Sequence, residues 1–158
     1  MNMPQRNGGR DGRAPLCRQF PRRWADRLWG LDEELTGTRA GRELARAGAL
    51  ICRECPVRVV CLASAIVCKD RSGILGGLSW TMRKQVARLA ALDGLQPEGS
   101  EHKRTMELAR WLAAHPDAVA KARSIESRNR AFRRTAEKAA KAGDSPETEV
   151  RSAQSALF

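Results

Sequence analysis

The spacing of five cysteines constrains this chain more than any other feature of its sequence. Cys17 stands alone. After 34 intervening residues comes Cys52-x2-Cys55-x5-Cys61, and Cys68 follows seven positions further on. A C-x2-C pair puts two sulfurs on one turn of backbone, close enough to grip a single metal centre. Pro56 suits the first turn of a helix, where its missing N–H costs nothing. Cys61 then falls near the start of that helix, where unpaired N–H groups and the helix dipole favour thiolate. Cys17 comes from a distant segment to close the site, so the pattern is three local ligands and one remote.

Three chemistries fit this spacing. Structural zinc sites of four cysteines usually come from two C-x2-C knuckles or from Cys/His pairs. Here there is one such knuckle, and His102 and His115 are far along the chain. Iron–sulfur clusters take four thiolates, and a compact group of three with one remote cysteine is an established arrangement. In the third reading the cysteines are buried small hydrophobes or inert thiols. Spacing alone leaves all three open.

Composition narrows the setting. No uncharged apolar run approaches the ~20 residues of a membrane span; the longest candidates are 59–68 and 72–82. Residues 1–13 lack the apolar middle of a signal peptide. The expectation is an intracellular, cytoplasmic protein with no membrane contact, in which clustered cysteines serve as metal or redox ligands. Lys and Arg number 29 against 18 Asp and Glu, a formal charge of +11, so the expected partner is a polyanion such as nucleic acid. Four Trp, three Phe and no Tyr make a thin aromatic supply for a core of this size. That is understandable if a metal centre replaces part of the core and the metal-free chain folds poorly.

The expected fold class is all-α, because helical periodicity recurs and period-two alternation is absent. Helices are predicted over 21–29, 38–53, 56–69, 81–92, 101–115 and from Pro116 to Gly143. Residues 1–15 read as a disordered tail. A cysteine-bearing domain spans 16–95, and a basic helical extension with a disordered end spans 96–158. The break between them is the Gly/Pro-rich stretch 93–100. Val57, Val60, Cys61, Ala65 and Cys68 form an expected apolar stripe. In the next helix Met82, Val86, Leu89 and Leu92 oppose Arg83, Lys84 and Arg88. The apolar patch of 101–115 is Leu108, Trp111 and Leu112. In the last helix Val119, Ala122, Ile125, Phe132 and Ala136 recur on one side. Arg123, Arg130, Arg134 and Lys138 lie opposite, with Arg128 at the margin. Residues 121–141 carry eight basic and two acidic side chains, a pattern that suits phosphate contacts; a solvated helix face is the alternative.

The stretch Cys52-Arg53-Glu54-Cys55-Pro56-Val57-Arg58-Val59-Val60-Cys61-Leu62, followed by Gly73-Ile74-Leu75-Gly76-Gly77, resembles the WhiB-like family of actinobacterial transcription regulators. That family carries an upstream Cys, then C-x2-C-P-V-R-x2-C-L, then a G-[VI]-W-G-G turn and a basic C-terminal segment. The resemblance covers about residues 16–92. It implies a small helical bundle around a four-iron, four-sulfur (4Fe-4S) cluster, one per chain, held by Cys17, Cys52, Cys55 and Cys61. It further implies a response to oxygen, nitric oxide or redox state. The partners it implies are the C-terminal domain of the primary sigma factor of RNA polymerase, met at the turn of Gly73, Ile74, Leu75, Gly76 and Gly77, and promoter DNA, met by basic residues. The candidate DNA contacts are Arg83, Lys84, Arg88, Arg123, Arg128, Arg130, Arg134 and Lys138.

Two departures stand out. Leu75 replaces the tryptophan of the family's turn, and Cys68 has no place in the four-ligand pattern. Cys68 is expected to be a buried apolar residue, or else a reserve thiol that forms a disulfide after cluster loss. Trp24 and Trp29 are expected to cover the centre and exclude water. The alternative function is a zinc-stabilised nucleic-acid-binding module without redox sensing. A thiol–disulfide oxidoreductase built on Cys52 and Cys55 lacks the βαβ context it needs, and no Ser/His/Asp set or phosphate loop is present. A non-enzymatic protein is therefore expected.

Overall fold

A computed structural model describes residues 14–143. Residues 1–13 of the tail predicted over 1–15, and the predicted disordered end at 144–158, lie outside the described residues. Six α-helices follow in order: α1 Arg22–Leu28, α2 Arg39–Glu54, α3 Arg58–Val67, α4 Trp80–Leu92, α5 Glu101–Ala114 and α6 Ala118–Gly143. Short 3-10 turns occupy Leu16–Gln19 and Glu33–Leu35. Among the described residues there is no strand beyond one isolated bridge between Leu75 and Leu78. The all-α expectation holds.

Local chemistry sets the boundaries. The Thr38 hydroxyl accepts from the Gly41 N–H at 2.9 Å and starts α2. Ser100 does the same for α5, accepting from Lys103 N–H at 3.3 Å. At the end of α4, Gly94 takes φ +81° and Leu95 N–H reaches back to the Ala90 carbonyl at 3.0 Å, the left-handed stop that glycine permits. Pro56 lies two residues ahead of α3 rather than inside its first turn.

One hydrophobic core gathers Leu62 and Ala63 of α3, Leu78, Val86 and Ala90 around α4, Leu108, Ala109 and Leu112 of α5, and Ala122 of α6. The most extensive helix packing is α3 on α5, followed by α4 on α6. The non-helical connection around 93–100 is thus a break in the backbone but not in the core. The other end of α3 meets α2, which also packs against α1 and the first 3-10 turn. That second grouping forms the walls of the cysteine site.

Some expected apolar positions are not covered. Leu92 is 82% exposed and Phe132 is 76% exposed. α6 packs through Ala118, Ala122 and Glu126, and everything described from Ser127 to Lys141 is exposed. This far part of α6 extends about 25 Å at 1.5 Å per residue. It is polar nearly all round and carries ion pairs from Glu126 to Arg130 (3.5 Å) and Arg133 (3.0 Å).

α1 crosses α2 closely because Gly48 is bare. A Cβ there would overlap the Leu28 carbonyl. Two effects compete in Gly48→Ala: helix propensity favours alanine by ~1 kcal/mol, while forced overpacking costs about 1–3 kcal/mol. The overlapping atom is backbone and cannot swing aside, so net destabilisation is expected, read as a lower urea midpoint. A raised midpoint would show that α1 and α2 separate freely.

Candidate cysteine centre

Cys52 lies in the last turn of α2, and Cys55 is its C-cap. The Cys55 N–H donates to the Cys52 carbonyl at 3.3 Å, and the Arg58 N–H to the Cys55 carbonyl at 3.0 Å. These bonds fold the chain sharply between α2 and α3 and bring Cys61, in the first turn of α3, back over the pair. Cys17 arrives on the 3-10 turn Leu16–Gln19. All four cysteines line one cavity of ≈ 220 Å³, whose remaining wall is largely apolar and includes Trp29, Ile51, Ile74 and Leu75.

The donor set suits a soft metal centre. Partial burial pushes the Cys17 thiol above its ordinary range, and the neighbouring Cys55 and Cys52 charges push it the same way. Thiolates gathered like this repel one another until a positively charged metal group shares them. The four cysteines share the cavity wall with largely apolar neighbours. Thiolates around an apolar-walled space fit an iron–sulfur cluster.

Trp29 is 6% exposed, and its indole N–H donates to Cys52 Sγ at 3.1 Å. Phe20 packs edge-on against it, ring centres 5.6 Å apart. A hydrogen bond to a ligand sulfur is one of the levers that set a cluster's potential. The sequence points to Trp29 as a cover but carries no sign of this bond. Trp24, expected beside it, is half exposed under the Arg27 guanidinium and is not part of the cavity wall.

The glycine turn closes the cavity from the α3–α4 side. Leu75 and Leu78 exchange both N–H···O bonds at 3.1 Å, while Gly76 and Gly77 take φ +59° and +81°. Positive φ at both central positions is the signature of a type I′ turn. A Cβ on Gly76 would lie 2.6 Å from Leu62 Cβ, and one on Gly77 3.4 Å from Cys52 Cβ. The turn is therefore pressed onto α3 and onto a cysteine's own stem. Gly76 and Gly77 are buried, whereas Gly73, Ile74 and Leu75 are half-buried. The Arg58 side chain lines the cavity and donates through Nε to the Gly76 carbonyl at 3.3 Å.

Arg83 corrects an expectation. The helical pattern puts it on the polar face of α4 among candidate phosphate contacts, but it is fully buried. Its Nη1 donates to the carbonyls of Leu78 (2.6 Å) and Gly73 (3.2 Å), and its Nη2 to those of Asp70 (2.8 Å) and Ser72 (2.9 Å). The guanidinium fastens the whole 70–78 loop to α4 and is not available to DNA. The readable signal is its position, since Arg83, Val86 and Ala90 recur at i, i+3 and i+7 on one face.

Cys68 is a second correction. It is exposed rather than buried, at the C-cap of α3. The buried face of α3 is Leu62, Ala63 and Ala65. The Cys68 thiol donates instead to a Glu101 carboxylate oxygen at 3.1 Å, outside the cysteine cavity. None of the five cysteines is in a disulfide.

The other candidate DNA residues separate into groups. Lys84 and Arg88 are on α4; Lys84 lies over the Trp80 ring at 5.6 Å and Arg88 donates to Gln85 at 3.4 Å. Arg128, Arg130, Arg134 and Lys138 are exposed on the uncovered part of α6. Arg123 is half-buried against the glycine turn.

Comparison with known proteins gives a family match over part of the chain. Residues 24–86 match the family model described as transcription factor WhiB. The match includes Cys52, Cys55 and Cys61 and begins after Cys17. No curated protein and no solved structure matches the chain.

Proposed function

From the premise that the chain is WhiB-like over residues 24–86, we propose that it is a transcription regulator whose Cys17, Cys52, Cys55 and Cys61 hold a 4Fe-4S cluster. Through it the protein acts with the primary sigma factor and promoter DNA. The observation that carries this reading is that Cys17, distant in sequence, lines a single cavity with the clustered Cys52, Cys55 and Cys61. Cys17 lies outside the matched segment and joins the set on geometry alone. When bound, such a group supplies a redox- and gas-reactive site.

The chain's own residues do the rest. Trp29 holds Cys52 by its N–H, and Phe20 braces Trp29. Ile51, Ile74 and Leu75 keep the walls apolar, which limits water at the sulfurs. The sigma-facing role falls to the half-buried edge of the glycine turn at Gly73, Ile74 and Leu75. Leu75 also lines the cavity, so a partner seated there stands one side chain away from the centre.

The uncovered part of α6 is assigned to phosphate contact. Its cations sit on a helix that buries nothing there, and a solvated basic helix gains from exchanging counterions for phosphates. Replacing Arg128, Arg134 and Lys138 together with Gln is expected to weaken duplex DNA binding. The slope of log affinity against log salt should become shallower by roughly 2–3, about 0.9 for each phosphate that is no longer neutralised. Helix content by circular dichroism serves as the control. An unchanged slope with weaker or equal binding would remove α6 from the interface.

A further inference from the structure

One side chain links the C-terminal helix to the turn beside the cysteine site. Arg123 leaves α6 beside its packed part and donates through Nη2 to the Gly77 carbonyl at 3.4 Å. The adjoining carbonyl of the same turn, Gly76, accepts from Arg58 at 3.3 Å. The stem of Cys52 lies against Gly77 and Cys61 shares the cavity with Gly76. Two guanidiniums, from α3 and α6, therefore hold successive carbonyls of the turn that closes the cavity.

These cations are gathered without a carboxylate among the charges that act on Arg123. Burial first, then the Arg58 and Arg53 charges, lower the Arg123 pKa. Two like charges, Arg58 and Arg123, brought onto one turn beside a four-thiolate centre are an unfavourable arrangement by themselves. They become favourable when a net negative group sits next to them.

We infer that Arg123 is a positioning residue of the cysteine centre: from α6 it clamps the Gly77 carbonyl, and with Arg58 on the adjoining carbonyl it sets positive charge beside the four-thiolate group and offsets its charge. The inference rests on the cluster reading above. It assigns to α6 two tasks, a clamp at Arg123 and a basic surface further along. It also makes the seating of α6 depend on whether the centre is loaded.

The test uses the full-length chain purified without oxygen. Arg123→Gln is compared with Arg123→Lys, and with Lys141→Gln as a variant that removes the same charge from the uncovered part of α6. Two quantities are read: amide hydrogen exchange over residues 75–78, and the rate at which an iron chelator strips the protein. Arg123→Gln is expected to exchange faster at 75–78 and lose iron several-fold faster. Arg123→Lys should restore iron retention because it keeps the charge, while Lys141→Gln should match the wild type in both readings. Where Arg123→Gln does not fold, Arg123→Met, which keeps the packing of the stem, takes its place. Wild-type exchange and wild-type iron loss in the neutral variant overturn the inference, as does equal loss in Lys141→Gln. A wild-type protein without iron or labile sulfide counts instead against the cluster reading; the exchange measurement then still tests the clamp.

Discussion

Replacing Arg83 with Met is expected to destabilise the protein by about 3–5 kcal/mol, among the largest effects available to a single substitution in it. The side chain is fully buried, and it donates to the carbonyls of Asp70, Ser72, Gly73 and Leu78. Methionine fills similar volume but offers no donor. Each carbonyl left without a partner away from water costs about 1–3 kcal/mol, although the loop relaxes enough to recover part of the sum. Against a typical domain stability of about 5–15 kcal/mol, the 70–78 loop would detach and carry the glycine turn with it. Arg83→Lys should fall between, since an ammonium is a point donor and does not span the fork. Denaturant unfolding measures this directly. A loss below ~1 kcal/mol would mean that the loop is held by its apolar contacts alone.

The second large effect concerns the ligands. Cys52→Ala is expected to abolish retention of iron. It removes one of four thiolates and leaves the Trp29 N–H without its acceptor. Cys17→Ala, Cys55→Ala and Cys61→Ala should do the same, because each lines the same cavity. Cys68→Ala should retain the full complement, since its thiol bonds to Glu101 away from the site. Because binding of a structural metal group is coupled to folding, the ligand variants should also show a lower unfolding midpoint, whereas Cys68→Ala should not. Iron retained by Cys17→Ala and lost by Cys68→Ala would reverse the assignment of the fourth ligand.

Much of the fold is legible in the sequence because local chemistry and tertiary packing agree. Thr38 and Ser100 are hydroxyl caps with helical periodicity after them, and α2 and α5 begin there. The Gly76-Gly77 pair announces a tight turn, and both residues take the positive φ that only glycine adopts cheaply. The cysteine spacing places three sulfurs together, and Cys17 joins them across 34 residues. The misread residues are those whose fate depends on groups outside their own helix. Arg83 shares the Val86 and Ala90 face of α4, but what satisfies it there is the 70–78 loop, whose carbonyls turn toward α4. Cys68 and Phe132 have apolar character but lie beyond the ends of the packed stretches of α3 and α6. Arg123 reads as one of a row of phosphate contacts until α6 is seated on α4, beside the turn it holds.

Iron and acid-labile sulfide analysis of the protein purified without oxygen decides whether the four cysteines hold a cluster. A coloured protein with about four iron and four sulfide per chain, bleached on exposure to air, is expected. A colourless, air-stable protein holding one zinc and no labile sulfide would contradict the cluster reading.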